Sequence, residues 1–434
     1  MIFVRSFRRF VSHKGFDEKV RNEIRRQNKT NKYLFGGVLA LGAGAGCVVW
    51  MRSPSCPLYD GILYVLRKWV DPELTHNLSI CSAKFGLFPI DYSIDPPILY
   101  NNIKNMTVFN PIGMSAGYDK DCTVPYQVLR LGFGFIEVGS VLPKPQPGNP
   151  KPRFFRLPNN EALINSFGFN SLGVDVAVEN MKRARAKQQK DPLTKDSLIG
   201  ISIGKNRNGE MLSDVVHCIN KIGAYADYIA VNVSSPNTPN LRDNQRREPL
   251  MKLVKTSKEA LEQLDKRVAS GDVSYVNTTK TKPLLFFKIS PDMTTEEMED
   301  VAEISLNHKL DGLIVTNTTV SRPEHIKDEL EKIGNPGGGL SGKPLKELSK
   351  RAVFKMYKMT NGNVPIIACG GISTAEDALE MIEAGASACQ IFTAMVYKGP
   401  SLPSSIKKNL ASLLQKKGYK SIREAIGSAH MKKQ

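Results

Sequence analysis

The sequence lacks the residue spacings that would indicate a metal centre or a disulfide framework. Its 434 residues include seven cysteines and six histidines. The cysteines are scattered, no two of them form a CxxC pair, and no histidines form an HExxH motif. An odd number of cysteines without framework spacing argues against a disulfide scaffold and a cysteine-rich metal site. We therefore expect reduced thiols and no bound metal.

The body of the chain also lacks an excess of basic charge, although the formal net charge is +18. Residues 1–32 carry a net charge of +7 and residues 401–434 another +7, which leaves +4 for the 368 residues between them. Binding to a phosphate backbone needs a basic face. A nucleic-acid-binding body is therefore disfavoured, and we expect no nucleic-acid partner.

The basic residues 1–32 have the pattern of a mitochondrial targeting segment. Arg5, Arg8 and Arg9 alternate with apolar residues, and the first acidic residue is Asp17. An arginine-rich, amphipathic and acid-poor start is typical of import segments. The alternative interpretation is a disordered basic arm.

Residues 33–51 form a run without charge and predict a single transmembrane anchor. As an α-helix the run would span about 28 Å, enough to cross a bilayer core. Tyr33 and Trp50 stand near its two ends, where interfacial aromatic residues occur. A secretory signal and a buried core helix are the alternatives, but the run is longer than a usual signal core and five glycines disfavour a water-soluble helix.

Residues 57–90 predict a small domain of two amphipathic helices directly after the anchor. Leu58, Ile62 and Leu66 fall near helical spacing, and Asp71-Pro72 has the residues of a helix start. The apolar faces could pack on the body of the protein or lie in a membrane surface. Periodicity alone does not distinguish these two positions.

The body of the chain, residues 100–415, contains eight apolar runs separated mostly by helical stretches. The runs occupy 109–117, 135–140, 198–204, 228–235, 284–290, 312–318, 366–371 and 389–394. Apolar strands that alternate with helices indicate a parallel sheet, and eight of them predict an α/β fold of the (β/α)8 TIM-barrel type. A doubly wound open sheet is the runner-up. The basic C-terminal tail, residues 416–434, could cover the barrel or touch anionic lipid.

Small and polar residues follow the predicted strands at the end where TIM barrels place their chemistry. The run YIAVNVSSPNT at 228–238 changes from apolar residues to amides and hydroxyls, which indicates either a turn or a site. Glycines at 337–339, Gly342 and Gly370-Gly371 would let backbone N–H groups approach a phosphate, so they predict a phosphate-bearing cofactor.

Two lysines at the predicted barrel mouth indicate that the site holds an anion. Lys288 lies within an apolar strand, where an unpaired charge is costly. A fixed cation beside the pyrimidine end of a flavin would favour flavin reduction. The alternative is a salt bridge from Lys288 to Glu137 or Asp292.

Six motifs make the chain resemble one enzyme family. They are NPIGMSAGYDK (110–120), EVGSVLPKPQPGNPKPRFFRL (137–157), INSFGFNS (164–171), VNVSSPNT (231–238), VTNTTVSRP (315–323) and GGGLSGKPL (337–345). In this order they resemble class 2 dihydroorotate dehydrogenase, the membrane-bound, FMN-containing and quinone-reducing enzyme of pyrimidine synthesis. The resemblance runs from about residue 57 to about residue 415 and implies oxidation of (S)-dihydroorotate to orotate in UMP synthesis.

The resemblance also implies roles for individual residues. Ser235 matches the base that takes the proton from C5, where class 1 enzymes have cysteine, and its implied catalytic helpers are Lys120, Thr238 and Phe169. The implied substrate-binding residues are Lys120, Asn165, Ser166, Phe167, Gly168, Phe169, Asn232, Asn237, Asn317 and Thr318. The implied FMN-binding residues are Ser115, Ala116, Gly117, Gly139, Ser140, Asn165, Ser202, Asn232, Lys288, Thr316, Ser341, Gly342, Gly370, Gly371, Phe392 and Thr393.

On the quinone side, the resemblance makes residues 57–90 a quinone-tunnel domain in contact with the membrane. His76, Arg156 and Phe392 match its polar and aromatic contacts. The implied partners are ubiquinone and inner-membrane lipid, and the implied location is the mitochondrial inner membrane, with a single-pass anchor and the barrel facing the intermembrane space. Family members of this class suggest a monomer.

Three positions depart from the family's usual pattern. Ser202 replaces an asparagine, Phe392 replaces a tyrosine, and Val396 replaces a residue that is often polar. The lost hydroxyl at Phe392 predicts a drier quinone pocket. Two competing interpretations are a class 1-like enzyme with a soluble electron acceptor and a catalytically dead, membrane-anchored scaffold. Ser235 and the anchor speak against the first, and the intact lysines and asparagines speak against the second.

Overall fold

The computed structural model describes residues 51–431 and the single residue Asn22. The helices are α1 (Leu58–Trp69), α2 (Pro72–Lys84), α3 (Pro125–Leu129), α4 (Val174–Gln188), α5 (Met211–Ile222), α6 (Arg247–Ala269), α7 (Thr295–Asn307), α8 (Lys327–Lys332), α9 (Lys346–Met359), α10 (Ala375–Glu383), α11 (Thr393–Lys398), α12 (Leu402–Lys416) and α13 (Ile422–Ala425). The strands are β1 (Asn101–Ile103), β2 (Met106–Val108), β3 (Ile112–Met114), β4 (Phe135–Val141), β5 (Phe154–Leu157), β6 (Ala162–Asn165), β7 (Leu198–Ile203), β8 (Tyr228–Asn232), β9 (Leu284–Ile289), β10 (Gly312–Val315), β11 (Gly339–Gly342), β12 (Ile366–Cys369) and β13 (Ala388–Ile391).

The predicted targeting segment and all but the last residue of the predicted anchor lie outside residues 51–431. Among the residues that the structure describes, no helix is both long enough and apolar enough to cross a bilayer. The anchor at 33–51 therefore stays a prediction.

Eight strands close into a parallel barrel, in the order β10-β12-β13-β3-β4-β7-β8-β9. Each of these strands overlaps one of the eight apolar runs, with β4 and β13 extending one residue beyond theirs. The prediction of a (β/α)8 barrel is therefore confirmed, and the open sheet is wrong. The strands are buried along almost their whole length because helices cover them from outside.

Large aromatic rings fill one end of the barrel interior. A Cβ atom added at Gly200 would lie 2.0 Å from the Tyr228 ring, and one added at Gly312 would lie 2.2 Å from the Phe286 ring. The short β1–β2 hairpin packs against these rings through Ile103. Glycine on one strand thus makes room for an aromatic ring on its neighbour, and the open space of the barrel is confined to the opposite end.

A second, antiparallel sheet of β5, β6 and β11 was not predicted. Its strands have four residues each, too few for a period to be recognised in the sequence. β6 pairs with β11 from Ala162 opposite Gly342 to Asn165 opposite Gly339. The sheet thereby joins the loop after β4 to the glycine-rich segment after β10.

Polar contacts attach the helical domain of α1 and α2 to the barrel. Asp71 caps α2 by accepting a hydrogen bond from the Leu74 N–H at 2.8 Å, as the sequence predicts. Glu73 accepts two hydrogen bonds from Arg153, at 2.8 Å and 3.2 Å. No residue of α1 is buried.

The C-terminal segment packs on the barrel helices. Ile422 and Ala425 are fully buried. The His430 ring nitrogen Nε2 lies 3.0 Å from the Ala384 carbonyl oxygen, just after α10. The sequence allowed residues 416–434 either to cover the barrel or to touch anionic lipid. The described residues of this segment cover the barrel.

Replacing Asp227 with alanine is expected to destabilise the protein by about 3–5 kcal/mol, because it leaves the guanidinium of Arg185 buried without its partner. The two side chains are 0% exposed and lie 2.8 Å apart. Urea unfolding followed by circular dichroism measures the loss. The matched control is Asp300→Ala, which removes a partner of Arg247 at the surface. Equal unfolding midpoints for the two variants would contradict the expectation.

Candidate active site

A pocket with a cavity volume of about 160 Å³ opens at the carboxyl end of the barrel strands. Most of the residues that the sequence nominated line it. These are Ser115, Ala116, Gly117, Lys120, Gly139, Ser140, Asn165, Phe167, Gly168, Phe169, Asn232, Ser235, Asn237, Lys288, Thr316, Asn317, Thr318, Ser341, Gly342, Gly370, Gly371, Phe392 and Thr393. The nominated residues Ser166, Ser202, Thr238, His76 and Arg156 lie outside this lining.

The polar cluster after β8 is held by hydrogen bonds among amides and hydroxyls. The Asn317 side-chain amide donates to Asn232 Oδ1 at 3.1 Å and to Ser234 Oγ at 2.9 Å. The Asn232 amide donates to Ser140 Oγ at 3.3 Å, and Ser140 in turn contacts Ser202 Oγ at 2.8 Å. Residues from four strand ends therefore form one connected network at the mouth.

Ser235 lies directly after this network and is 8% exposed. Its hydroxyl accepts a hydrogen bond from the Asn237 backbone N–H at 3.3 Å. The hydroxyl oxygen of Thr238 is buried and has no hydrogen-bond partner among residues 51–431. Such an oxygen is costly unless something absent from the protein chain satisfies it.

A second amide pair closes the pocket from the side of the added sheet. The Asn237 side chain donates to the backbone and side-chain oxygens of Asn165, at 3.0 Å and 3.1 Å. Asn165 is the last residue of β6, so this short strand positions it. Phe169 has φ of 56°, in the left-handed region that non-glycine residues rarely adopt.

Lys120 is a buried cation that forms no ion pair with a carboxylate of residues 51–431. Its amine lies 4.3 Å from the centre of the Phe167 ring and 3.5 Å from His76 Nε2. Burial lowers the pKa of Lys120 to about 8, although the carboxylates of Asp121 and Glu73 partly offset this effect. Burial and the neighbouring Lys120 also hold the pKa of His76 well below its usual value.

Lys288 is equally buried but has a charged partner. Its amine donates to Ser115 Oγ at 3.1 Å and lies 3.7 Å from Glu137 Oε1. Burial alone would lower its pKa, but Cys369 and Glu137 outweigh burial and raise it. The alternative partner Asp292 is wrong, because Asp292 pairs with Arg242.

Glycines make the pocket wall that the sequence associated with a phosphate. A Cβ atom at Gly371 would lie 2.3 Å from the Lys346 backbone, and one at Gly342 would lie 2.3 Å from the Glu161 carbonyl oxygen. Both glycines have positive φ. The backbone can therefore follow this path only without side chains. Thr393 Oγ1 donates to Ser341 Oγ at 2.8 Å beside them.

Of the three residues assigned to a quinone site, Tyr118 links two, His76 and Phe392. His76 contacts the edge of the Tyr118 ring, and Tyr118 in turn contacts the Phe392 ring at 6.3 Å between centres. Arg156 instead donates to three carbonyl oxygens near the end of α1, of which Val70 is the nearest at 2.7 Å. It therefore holds the helix end by the interaction expected of a cation at a helix C-terminus.

Several pocket residues were missed or only partly recognised from the sequence. Leu163, Gln390 and Cys369 also line the pocket. Glu137 was considered only as an alternative partner of Lys288, yet it also accepts a hydrogen bond from Gln390 Nε2 at 2.7 Å. The signal for Glu137 and Gln390 was their position in barrel strands, where a buried polar residue needs a partner. Leu163 had no such signal, because it lies in β6 of the added sheet.

Comparisons with known proteins agree with this geometry. The dihydroorotate dehydrogenase family model matches residues 98–414. The mitochondrial dihydroorotate dehydrogenase (quinone) of Mus musculus is 41% identical over 371 residues, which cover 85% of this chain and 89% of that protein. The dihydroorotate dehydrogenase (quinone) of Agrobacterium fabrum is 43% identical and covers 83% of this chain and 93% of its own.

A solved structure shares the fold at the same level of identity. The crystal structure of DHODH in complex with ferulenol from Eimeria tenella superposes with a TM-score of 0.81 at 42% identity, and covers 85% of this chain and 99% of that chain. Sequence identity over most of the length and the closed barrel with its polar mouth lead to the same assignment. The chain therefore belongs to the dihydroorotate dehydrogenase family and is an enzyme of the quinone-dependent class.

Proposed function

We propose that the protein oxidises (S)-dihydroorotate to orotate in UMP synthesis, with Ser235 as the base, FMN as the cofactor and ubiquinone as the final electron acceptor. The observation that carries this proposal is the meeting of Ser235, four asparagines and Lys120 in one pocket. A cyclic ureide carboxylate offers N–H donors, carbonyl acceptors and one negative charge. Asparagine amides can accept from its N–H groups and donate to its carbonyl oxygens, and a lysine complements the negative charge.

The asparagines orient the ring of the substrate. Asn232 and Asn317 hold each other, and Asn165 and Asn237 form a second pair, so each amide keeps donors or acceptors for a ligand. Because each pair is fixed before the substrate arrives, little side-chain entropy is lost on binding. Lys120 meets the carboxylate, and Phe167 beneath its amine keeps that amine in place.

Ser235 removes the proton from C5 of dihydroorotate while the hydride leaves C6. A serine hydroxyl is a weak base at its free pKa, so it needs a path that carries the proton away. The unpartnered Thr238 hydroxyl, three residues along the chain, supports such a path. Phe169 and the low exposure of Ser235 keep bulk water from the reacting carbon.

The pocket residues fit FMN. Gly342, Gly370 and Gly371 leave backbone space that side chains would fill, which suits a phosphate. Lys288 would meet the electron-rich pyrimidine end, while Ser115, Gly117, Gly139, Ser140, Thr316, Ser341 and Thr393 would surround the rest. When bound, FMN supplies the hydride acceptor and passes electrons onward. Glu137 keeps Lys288 protonated in this setting.

Helices α1 and α2 provide the approach for the quinone. Trp69 is 73% exposed and Phe85 is 75% exposed, so the helical domain presents large apolar side chains. Such a surface suits lipid or a lipid-like quinone. We propose that His76, Arg156 and Phe392 line this approach.

The proposed location is the mitochondrial inner membrane, because several relatives are named as mitochondrial enzymes. The proposal includes a single-pass anchor at residues 33–51, a barrel that faces the intermembrane space, and a monomeric state.

Ser235→Ala is expected to slow anaerobic flavin bleaching by dihydroorotate by about 10²- to 10⁴-fold, the usual contribution of a general base. Orotate binding, followed by the shift of the flavin absorbance, should change little because the amides remain. The matched control Ser270→Ala, at an exposed serine after α6, should bleach like the unaltered protein. Normal bleaching of Ser235→Ala would contradict the role of Ser235.

Orotate binding is expected to weaken as pH rises through about 8, the pKa of Lys120. A lowered lysine pKa means that the cation is present below this value and is lost above it, and with it the attraction for the carboxylate. Titrations of orotate from pH 6 to 10 measure the effect without involving the base. Lys120→Met should bind orotate weakly with no step near this pH. A flat profile for the unaltered protein would exclude Lys120 as the carboxylate partner.

Phe392→Tyr is expected to tighten binding of quinone-site inhibitors that need a tyrosine hydroxyl by about 2- to 10-fold, the effect of one hydrogen bond. The Phe392 ring lies in the pocket lining, with its centre 6.3 Å from that of the Tyr118 ring, so Phe392→Tyr would add a polar group to the proposed approach. Inhibition curves and the KM for a soluble ubiquinone measure the change. If both stay the same, Phe392 has no part in the quinone site.

A further inference from the structure

One arginine outside the pocket lining joins three loops of the barrel mouth. Arg242 lies in a 3-10 turn, Leu241–Gln245, that follows the Ser235 loop. Its Nε donates to the Ser234 carbonyl oxygen at 3.1 Å, and its Nη2 donates to the Thr318 carbonyl oxygen at 3.2 Å. Its Nη1 lies 2.9 Å from Asp292 Oδ2, in the loop after β9.

Asp292 extends this link to the loop after β10. Its carboxylate accepts hydrogen bonds from the Thr319 hydroxyl and from the Val320 backbone N–H, the latter at 3.0 Å. The same 3-10 turn makes a second contact with the β9 end, because Gln245 Oε1 accepts from the Ser290 N–H at 2.8 Å. The loops after β8, β9 and β10 are therefore held as one unit.

The position of Ser235 depends on backbone contacts more than on its own side chain. Within residues 51–431 its hydroxyl makes a single hydrogen bond, from the Asn237 N–H at 3.3 Å. The carbonyl that Arg242 holds belongs to Ser234, the residue immediately before it. A shift of this peptide would move the Ser235 hydroxyl directly. Thr318, on the facing loop, is held by the same guanidinium.

We propose that Arg242 and Asp292 form a loop latch, an ion pair that positions Ser235 and Thr318 on two sides of the bound dihydroorotate. Both are positioning residues, and the inference rests on the proposed role of Ser235. Because proton and hydride removal require alignment of the base with C5, loosening the latch slows the reductive half-reaction. Reoxidation of the flavin by quinone needs neither Ser235 nor Thr318 and proceeds unchanged.

The geometry distinguishes this ion pair from a purely structural one. The buried pair Arg185–Asp227 joins α4 to the start of β8, and both side chains are fully buried. The latch side chains are 26% and 14% exposed, and they connect the short 3-10 turn that holds Arg242 to the loop that holds Asp292. Such loops need specific contacts to hold a reactive group within a fraction of an ångström.

The test compares both half-reactions in the flavin-loaded, full-length protein with Arg242→Ala, Arg242→Lys and Asp292→Asn. Stopped-flow bleaching by dihydroorotate without oxygen measures the first half-reaction. Reoxidation of dithionite-reduced protein by a soluble ubiquinone measures the second. We expect Arg242→Ala to slow bleaching by about 10- to 100-fold, with reoxidation and flavin content unchanged. Arg242→Lys keeps the positive charge but not the planar guanidinium that reaches three partners. It should therefore bleach faster than Arg242→Ala but more slowly than the unaltered protein.

The control is Arg247→Ala, five residues along the chain, which removes a surface arginine paired with Asp300 and Glu303. It should leave both half-reactions unchanged. Bleaching of Arg242→Ala at the normal rate, or equal slowing of both half-reactions, would overturn the latch. If Arg242→Ala does not fold, Arg242→Lys and Asp292→Asn decide by the same criteria. Failure of the unaltered protein to bleach would instead overturn the proposed function.

Discussion

Closure of eight parallel strands is the constraint on which the rest of the structure depends. Parallel strands all end on the same side, so closing the sheet brings eight strand ends into one ring. Aromatic rings from Tyr228 and Phe286 fill the other end of the barrel. Distant motifs such as 110–120 and 231–238 share a pocket because this ring brings the ends of their strands together.

The two buried lysines of the mouth show how local partners decide the effect of burial. Both lose contact with water, which disfavours their charged forms. Lys288 lies near Glu137 and its pKa is raised, whereas Lys120 faces an aromatic ring and a histidine and its pKa falls to about 8. Lys288 therefore remains a cation throughout the neutral pH range. Lys120 titrates just above neutral pH, which suits a group that binds and releases an anion.

The sequence predicted the barrel and most of its lining, because long apolar runs and ordered motifs carry those features. It did not predict the added sheet, since four-residue strands have no measurable period. It could not choose between Glu137 and Asp292 as the partner of Lys288, because strand order alone does not give side-chain distances. Arg242 was missed for the same reason: its three acceptors are backbone and side-chain atoms on separate loops. The anchor and the targeting segment stay predictions.

The helices α1 and α2 combine polar attachment to the barrel with a large exposed apolar surface. Arg153 holds α2 through Glu73, and Arg156 holds the end of α1 through backbone carbonyls, while no residue of α1 is buried. Ala83 and Ile80 of α2 pack against the core of the barrel, while apolar side chains such as Trp69 remain exposed. In water such an exposed apolar face is unfavourable, because the free energy falls when apolar surface is covered. Covering of these helices by lipid or quinone would remove this cost, which is the physical reason for the membrane-facing role proposed for the domain. The polar contacts to Arg153 and Arg156 would then fix the distance of the domain from the pocket.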